Sequence, residues 1–202
     1  MQKEQTPTRI QVKKRAEILE AALEVFSAQG FRGSTLDQIA IEAGLSKPNV
    51  LYYFASKEAI YKALLKRLLN TWQDPLRALD PDGEPLEEIL SYVRRKMQMS
   101  RDFPRESRLF ANEIVQGAPR IHAALEGELK ALVDQKASVI QQWCAQGRLA
   151  PVHPHHLFFS IWALTQHYAD FDVQVRAVLG LHEPFDAAPA FVETLFRRTL
   201  SP

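Results

Sequence analysis

The chain has 202 residues, 46% hydrophobic and 24% charged, an ordinary composition for one large folded domain or two small ones. A single cysteine, Cys144, excludes an intrachain disulfide and a four-cysteine zinc site and fits a reducing cytoplasm, and no run approaches the ~18 uninterrupted apolar residues of a membrane span. The net charge of +1 conceals an asymmetry: residues 1–67 carry 11 basic and 7 acidic side chains and the remainder 14 and 17, so a basic head suited to a polyanion precedes a mildly acidic body.

Residues 1–9 are polar and hold no apolar signal core. Apolar residues then recur at helical spacing almost to the end. Ile18, Leu19, Ala22, Leu23 and Phe26 predict a helix over 12–29 that Gly30 stops, and Phe31 to Ser34 reads as a loop. Helices follow over 35–42 and 47–53, joined by Ala43-Gly44-Leu45-Ser46. Ser56 is a good N-cap for a fourth over 56–74, ended or kinked by Pro75. Asp80 to Pro85 is a breaker. Further helices are predicted over 86–101, 104–116, from Pro119 to Gln146, from Pro154 to Leu179, and over 187–200. With no strand pattern and no repeat, the expectation is an all-α fold of about nine helices. A helix-turn-helix head would occupy 1–55, the connecting helix 56–74 would start there, and a ligand-binding and dimerisation body would fill 56–202.

Residues 36–53 carry the sharpest signal. Two short helices joined by Ala-Gly-Leu-Ser form a helix-turn-helix; Gly44 tolerates the positive φ of the turn, Leu45 points inward and Ser46 caps the second helix. Lys47, Pro48 and Asn49 fill its first turn, the part of a recognition helix that meets base edges, and Tyr52 shares the face. Asn pairs with adenine through two hydrogen bonds, and Lys suits the acceptors of guanine. Thr35 at a helix start, the Tyr53 hydroxyl, Lys57, and the basic run Lys13-Lys14-Arg15 are placed for phosphate contacts. The same turn also occurs in helical domains that bind no nucleic acid. The basic head and the aromatic-lysine stretch favour double-stranded DNA over a protein-binding module.

The run from Phe31 to Ile60 resembles the DNA-binding domain of TetR-family transcriptional regulators, whose pattern is Gly…Thr…Ile-Ala…Ala-Gly-Val-Ser…Tyr-x-Tyr-Phe…Ser-Lys-Glu. It departs at Leu51, where the pattern has the first Tyr, and at Pro48, where Gly or Thr is usual. The runs Ser100-Arg-Asp-Phe-Pro, Ser107-Arg-Leu-Phe, Gly117-Ala-Pro and Trp162-Ala-Leu-Thr-Gln-His-Tyr-Ala-Asp-Phe are similar to a pyrimidine-sensing subgroup of that family. The resemblance spans nearly the whole chain. It implies a cytoplasmic homodimeric repressor on a pseudo-palindromic operator, released by uracil or thymine; the alternative is a hydrophobic effector such as a fatty acyl compound or a drug.

The body is long enough to hold a pocket between helices. Trp162, Gln166 and His167, with Trp72, Phe110 and Glu113, are the candidate lining: aromatic faces for a flat ring, and in Gln166 a donor and an acceptor for an amide-like edge. The competing expectations are that Trp162 is core or dimer interface, and that Gln166, His167 and Asp170 form a network that only specifies packing. His153, His155 and His156 fall at a helix start where their rings should point apart, so no metal is expected. Nor is there a catalytic triad, a phosphate-binding Gly loop or a paired-carboxylate site, so neither a cofactor nor enzymatic activity is expected. Phe158, Ile161, Leu164, Ala169, Val173 and Val178, with Phe191, Leu195 and Phe196, leave the last two long helices apolar around much of their girth. A second subunit would bury them in an isologous four-helix interface; the alternative is a monomer that covers them itself. Ligand bound near Trp72 and Trp162 would tilt the 56–74 helix and change the spacing of the two heads.

Overall fold

The computed structural model describes residues 8–180 and 182–202, and every regular element among them is helical. The fold is all-α. The chain divides into two compact units, the first ending at Leu68 and the second spanning Leu69–Pro202.

The first unit holds α1 (Arg9–Gly33), α2 (Leu36–Glu42), α3 (Lys47–Tyr53) and the first turns of α4 (Lys57–Arg77). Thr8 and Gln11 close a capping box at the start of α1, which is why this helix begins three residues before the predicted start at 12. Gly30 takes φ 68° and breaks the helix as expected, but one more turn follows it through Gly33. Thr35 and Gln38 form a second capping box on α2. Ile18, Ala22, Leu23, Phe26, Ile39, Val50, Phe54, Ile60 and Leu64 are buried, and the Tyr61 ring meets Phe26 edge-on at 4.8 Å. Each such aliphatic or aromatic side chain contributes about 1.5–3 kcal/mol on leaving water.

The second unit adds α5 (Pro85–Asp102), α6 (Pro104–Val115), α7 (His122–Ala124), a π-helical turn (Leu125–Leu129), α8 (Lys130–Ala145), α9 (Pro154–Asp170), α10 (Asp172–Leu179) and α11 (Pro184–Leu200). Its core joins α5, α8, α9 and α11 through Ile89, Val93, Ile140, Trp143, Phe158, Ile161, Val192 and Phe196. α4 runs through Pro75 to Arg77 instead of ending at 74, the proline forgoing its own backbone hydrogen bond without stopping the helix. The buried Lys136 ammonium supplies what the end needs, donating to the carbonyls of Leu79 (2.7 Å) and Arg77 (3.1 Å).

Two long predicted helices are interrupted, which takes the count of α-helical segments among the described residues from nine to eleven. The helix expected to open at Pro119 does not. Gly117 (φ 89°) and Ala118 (φ 52°) turn the chain, and the buried Glu113 carboxylate takes the Arg120 N–H (2.9 Å) and guanidinium (2.9 Å). A tertiary contact thus captures a donor that a helix start would have left free. The helix expected to run from Pro154 to Leu179 breaks at Phe171 (φ −115°, ψ 30°). Beside the break Arg108 donates to the Ala169 carbonyl (3.2 Å) and Ser107 to the Asp170 carboxylate (2.5 Å). No helix among the described residues is long and apolar enough to cross a membrane.

Candidate functional site

The first unit builds its site on the turn between α2 and α3. Gly44 adopts φ 63°, and the Leu45 N–H returns to the Ala40 carbonyl (2.9 Å). Open space lies where a Gly44 Cβ would sit, so a side chain there would be penalised by the backbone conformation alone. Leu45 is half-buried and Val50 fully buried, so these two residues seat α3. Ser46 caps α3, its hydroxyl accepting the Asn49 N–H (3.4 Å).

Lys47, Pro48, Asn49 and Tyr52 all present exposed side chains from this one short helix, and Tyr52 is 72% exposed. Leu51, like Pro48 a departure from the family pattern, is exposed beside them. Lys47 is not a bare charge: it pairs with Asp37 of α2 at 2.9 Å across a solvated surface. Tyr52 packs edge-on against Tyr53 at 5.0 Å, and its hydroxyl accepts from Gln11 at 3.5 Å.

The rim differs from expectation. Thr35 stands at the start of α2 as foreseen, but its hydroxyl is committed to the capping box with Gln38. Tyr53 is half-buried, and its carbonyl is held by Arg15, whose guanidinium lies 4.0 Å over the Phe54 ring. Lys13 is exposed; Lys14 is half-buried and pairs with Glu17 (2.7 Å). Lys57 is turned inward. Its ammonium donates to the carbonyls of Phe31 (2.7 Å) and Ser34 (2.6 Å) and sits 4.5 Å over the Phe31 ring. A cation satisfies the carbonyls left at the end of α1, and that use outweighs projection into solvent. Lys57→Met is therefore expected to destabilise the protein by about 1–3 kcal/mol in urea unfolding. The salt dependence of DNA binding should keep its slope, whereas loss of a phosphate contact would reduce it by about 0.9.

The second unit contains a cavity of about 720 Å³. Its aromatic lining is Trp72 from α4, Tyr92 from α5, Phe110 from α6, Trp162 from α9 and Phe171 beyond it. The Trp162 indole N–H donates to the Tyr92 hydroxyl at 2.7 Å, which fixes both rings; burial pushes the Tyr92 phenol above its ordinary range. Its polar lining is Gln73, Lys96, Arg108, Asn112, Gln166 and Asp170. Burial pushes the Asp170 carboxyl up, against the Ser107 hydroxyl and the nearby Lys96 and Arg108 charges. Burial pulls Lys96 down to about 8, with Asp170 opposing. Among the described residues the buried Trp72 Nε1 and Gln73 Nε2 have no hydrogen-bond partner, two unsatisfied donor groups in the α4 wall.

Two family profiles together cover residues 18–202. Bacterial regulatory proteins of the tetR family match residues 18–64, and the C-terminal region of YcdC-like proteins matches 65–202. The HTH-type transcriptional regulator RutR of Escherichia coli K12 is 53% identical over 171 residues, covering 85% of this chain and 80% of that one. The chain belongs to the TetR family. It is a helix-turn-helix transcriptional regulator. YfiR of Bacillus subtilis, described as an uncharacterized HTH-type regulator, is 27% identical over 92% of this chain and 93% of its own. Among solved structures, a TetR-like regulator from Rhodococcus sp. RHA1 superposes with a TM-score of 0.68 at 22% identity over 96% of this chain and 97% of that one. AibR in complex with isovaleryl coenzyme A and operator DNA gives 0.69 at 16% identity, over 90% and 97%. At these identities the likeness concerns the fold.

Of the six cavity residues expected for this TetR regulator, Trp72, Phe110, Trp162 and Gln166 line the cavity together. Glu113 and His167 do not. Glu113 faces the other way, buried in its ion pair with Arg120 (2.9 Å). His167 is exposed and stacks on Phe171, one helical turn on, at 5.0 Å. Asp170 lines the cavity and accepts from Ser107, so the competing arrangement, a Gln166-His167-Asp170 network, is not formed among the described residues. Tyr92, Lys96, Gln73 and Arg108 escaped sequence reasoning. Lys96 left a signal, a lysine in register with the buried Ile89, Val93 and Ser100. The histidines also differ from expectation: the His153 ring lies 4.6 Å from His156 and 5.7 Å from His155. His155 is bound to Asp134 at 3.0 Å, and no three His, Cys, Asp or Glu side chains among the described residues are placed to hold a metal.

Proposed function

We propose that this regulator is a cytoplasmic homodimeric repressor that reads a pseudo-palindromic operator through α3 and leaves it on binding uracil or thymine. The observation that carries the DNA half is the joint exposure of Lys47, Asn49 and Tyr52 on a helix whose own core residue, Val50, is fully buried. Asn49 and Lys47 read base edges with Tyr52 on the same face, and Tyr53, Thr35, Lys13 and Lys14 approach phosphates. In a dimer the two α3 helices must lie about 34–36 Å apart, or a multiple of that, to enter successive major grooves.

The dimer reading is supported by what the last helices leave uncovered. Phe158, Ile161, Ala169 and Phe196 are buried within their own unit, but Phe159, Val173, Val178, Phe191 and Leu195 remain exposed. A two-fold contact between α9–α11 of two subunits would bury them.

The effector reading is supported by the lining of the cavity. A planar pyrimidine stacks between indole and phenol faces, and Gln166 offers both a donor and an acceptor to its amide-like edge. The identity with RutR agrees with it. The volume, larger than one such ring needs, favours a second reading: a longer acyl ligand lying along Leu69, Leu76, Leu125 and Leu129. Release requires that the effector bind the off-DNA conformation more tightly, with α4, which carries Trp72 and Gln73, tilting to change the spacing of the heads. An electrophoretic mobility titration of the operator complex is expected to show release by uracil or thymine at millimolar concentration or below. Release by acyl compounds and by neither pyrimidine would establish the second reading.

A further inference from the structure

Among the groups that line the cavity, Lys96 stands out. It is 3% exposed on α5, yet among the described residues its ammonium makes no hydrogen bond. An ammonium has three N–H donors and no acceptor, and burial without acceptors is strongly unfavourable. The surrounding elements compensate it only partly. From α4 the Trp72 ring faces it at 5.1 Å. From α9 Asp170 attracts it, but that carboxylate is already bound by Ser107 of α6. From α6 Arg108 adds a second positive charge, and on α5 itself Tyr92 is occupied by the Trp162 N–H. The core would be better served by a methionine at this position. A cation on the wall of a cavity, with no protein acceptor among the described residues, takes its acceptors from what occupies the cavity.

We propose that Lys96 is the specificity-determining residue of the effector site, selecting ligands that turn a carbonyl toward α5 and rejecting those that present an N–H donor there. The inference rests on the pyrimidine reading and deepens it: a dioxopyrimidine such as uracil satisfies the ammonium, whereas an aminopyrimidine such as cytosine sets its amino group against it. A proton balance follows. The ammonium donates to a carbonyl, and seating the carbonyl holds the proton on nitrogen; the neutral amine is also an acceptor and tolerates an amino group. Lys96 is pulled down to about 8, so the charged form prevails below that pH. Uracil affinity is therefore full below about pH 8 and falls above it, by up to about tenfold per unit, while cytosine affinity moves the other way.

The test is isothermal titration calorimetry of the full-length protein with uracil and with cytosine between about pH 6.5 and pH 9, in buffers of differing ionisation enthalpy, for the wild type, K96M and K96R. In the wild type the expected result is a preference for uracil of about tenfold or more that narrows above pH 8, with proton uptake on binding. K96M should lose about tenfold or more in uracil affinity and its pH dependence, while its ligand-free melting temperature is unchanged or raised, an outcome a purely structural lysine would not give. K96R keeps a donor that does not titrate and should bind uracil with a flat profile, and it decides the matter should K96M fail to fold. Uracil binding by K96M within about twofold of the wild type, or no preference of the wild type for uracil over cytosine at about pH 6.5, overturns the role of Lys96 and leaves the pyrimidine reading standing. No binding of either pyrimidine by the wild type at any pH overturns both.

Discussion

Arg120→Ala is expected to destabilise the second unit by about 3–5 kcal/mol, lowering the unfolding midpoint by roughly 10 °C. Glu113 is almost completely buried, and its carboxylate is held by the Arg120 guanidinium and backbone N–H at 2.9 Å each. The variant keeps the backbone bond but strands a charge away from water. The penalty arises from the stranded carboxylate more than from the lost attraction, so Glu113→Gln in the Arg120→Ala background should recover most of the loss. Thermal unfolding of the two single variants and the double variant checks this as a cycle. If Arg120→Ala melts within a degree or two of the wild type, the clasp carries no energy. The expected loss reaches the cavity as well, because the ion pair fixes the turn between α6 and α7 and the π-helical turn beyond it supplies Leu125 and Leu129 to the wall.

The second large effect belongs to α3. On the proposed reading, Asn49→Ala lowers affinity for the operator by about 1–3 kcal/mol, roughly 5- to 150-fold, and relaxes the preference at one base pair per half-site. The side chain is exposed and only its backbone N–H is used by the Ser46 cap, so protein stability should change little. Fluorescence anisotropy with operator and with scrambled duplex separates the two components. Equal loss on both sequences would make Asn49 a phosphate contact rather than a base reader.

The two functional sites were legible to different degrees. The α3 helix falls over the residues that its pattern predicts, Lys47–Tyr53, because its limits are local: a serine cap, a proline in the first turn, a glycine turn before it. The exposed face of α3 follows from the same short-range geometry. Lys57 shows where local reasoning stops. Its position at a helix start suited a phosphate, but carbonyls 23 and 26 residues away claimed its ammonium. In the cavity, aromatic residues at helical spacing identified Trp72, Phe110 and Trp162, but the spacing could not tell which neighbour each face would meet. Glu113 shares α6 with Phe110 and points away to Arg120, and His167 follows Gln166 and lies outside.

From the sequence alone came the all-α class, the helix-turn-helix with the exposed side chains of its second helix, and an aromatic body large enough for a ligand. All of these depend on hydrophobic period, capping and turn chemistry within a few residues. Tertiary structure alone decided that α7 and α8 do not form one helix, that α9 ends before Phe171, and that Lys96 lines the wall of a cavity. The physical reason is common to the three. Glu113 reaching Arg120, Ser107 and Arg108 reaching the end of α9, and α4, α5, α6 and α9 converging on Lys96 are interactions between separate elements. Their energies exceed local helix propensity, which is worth less than about 1 kcal/mol per residue, and no periodicity encodes them.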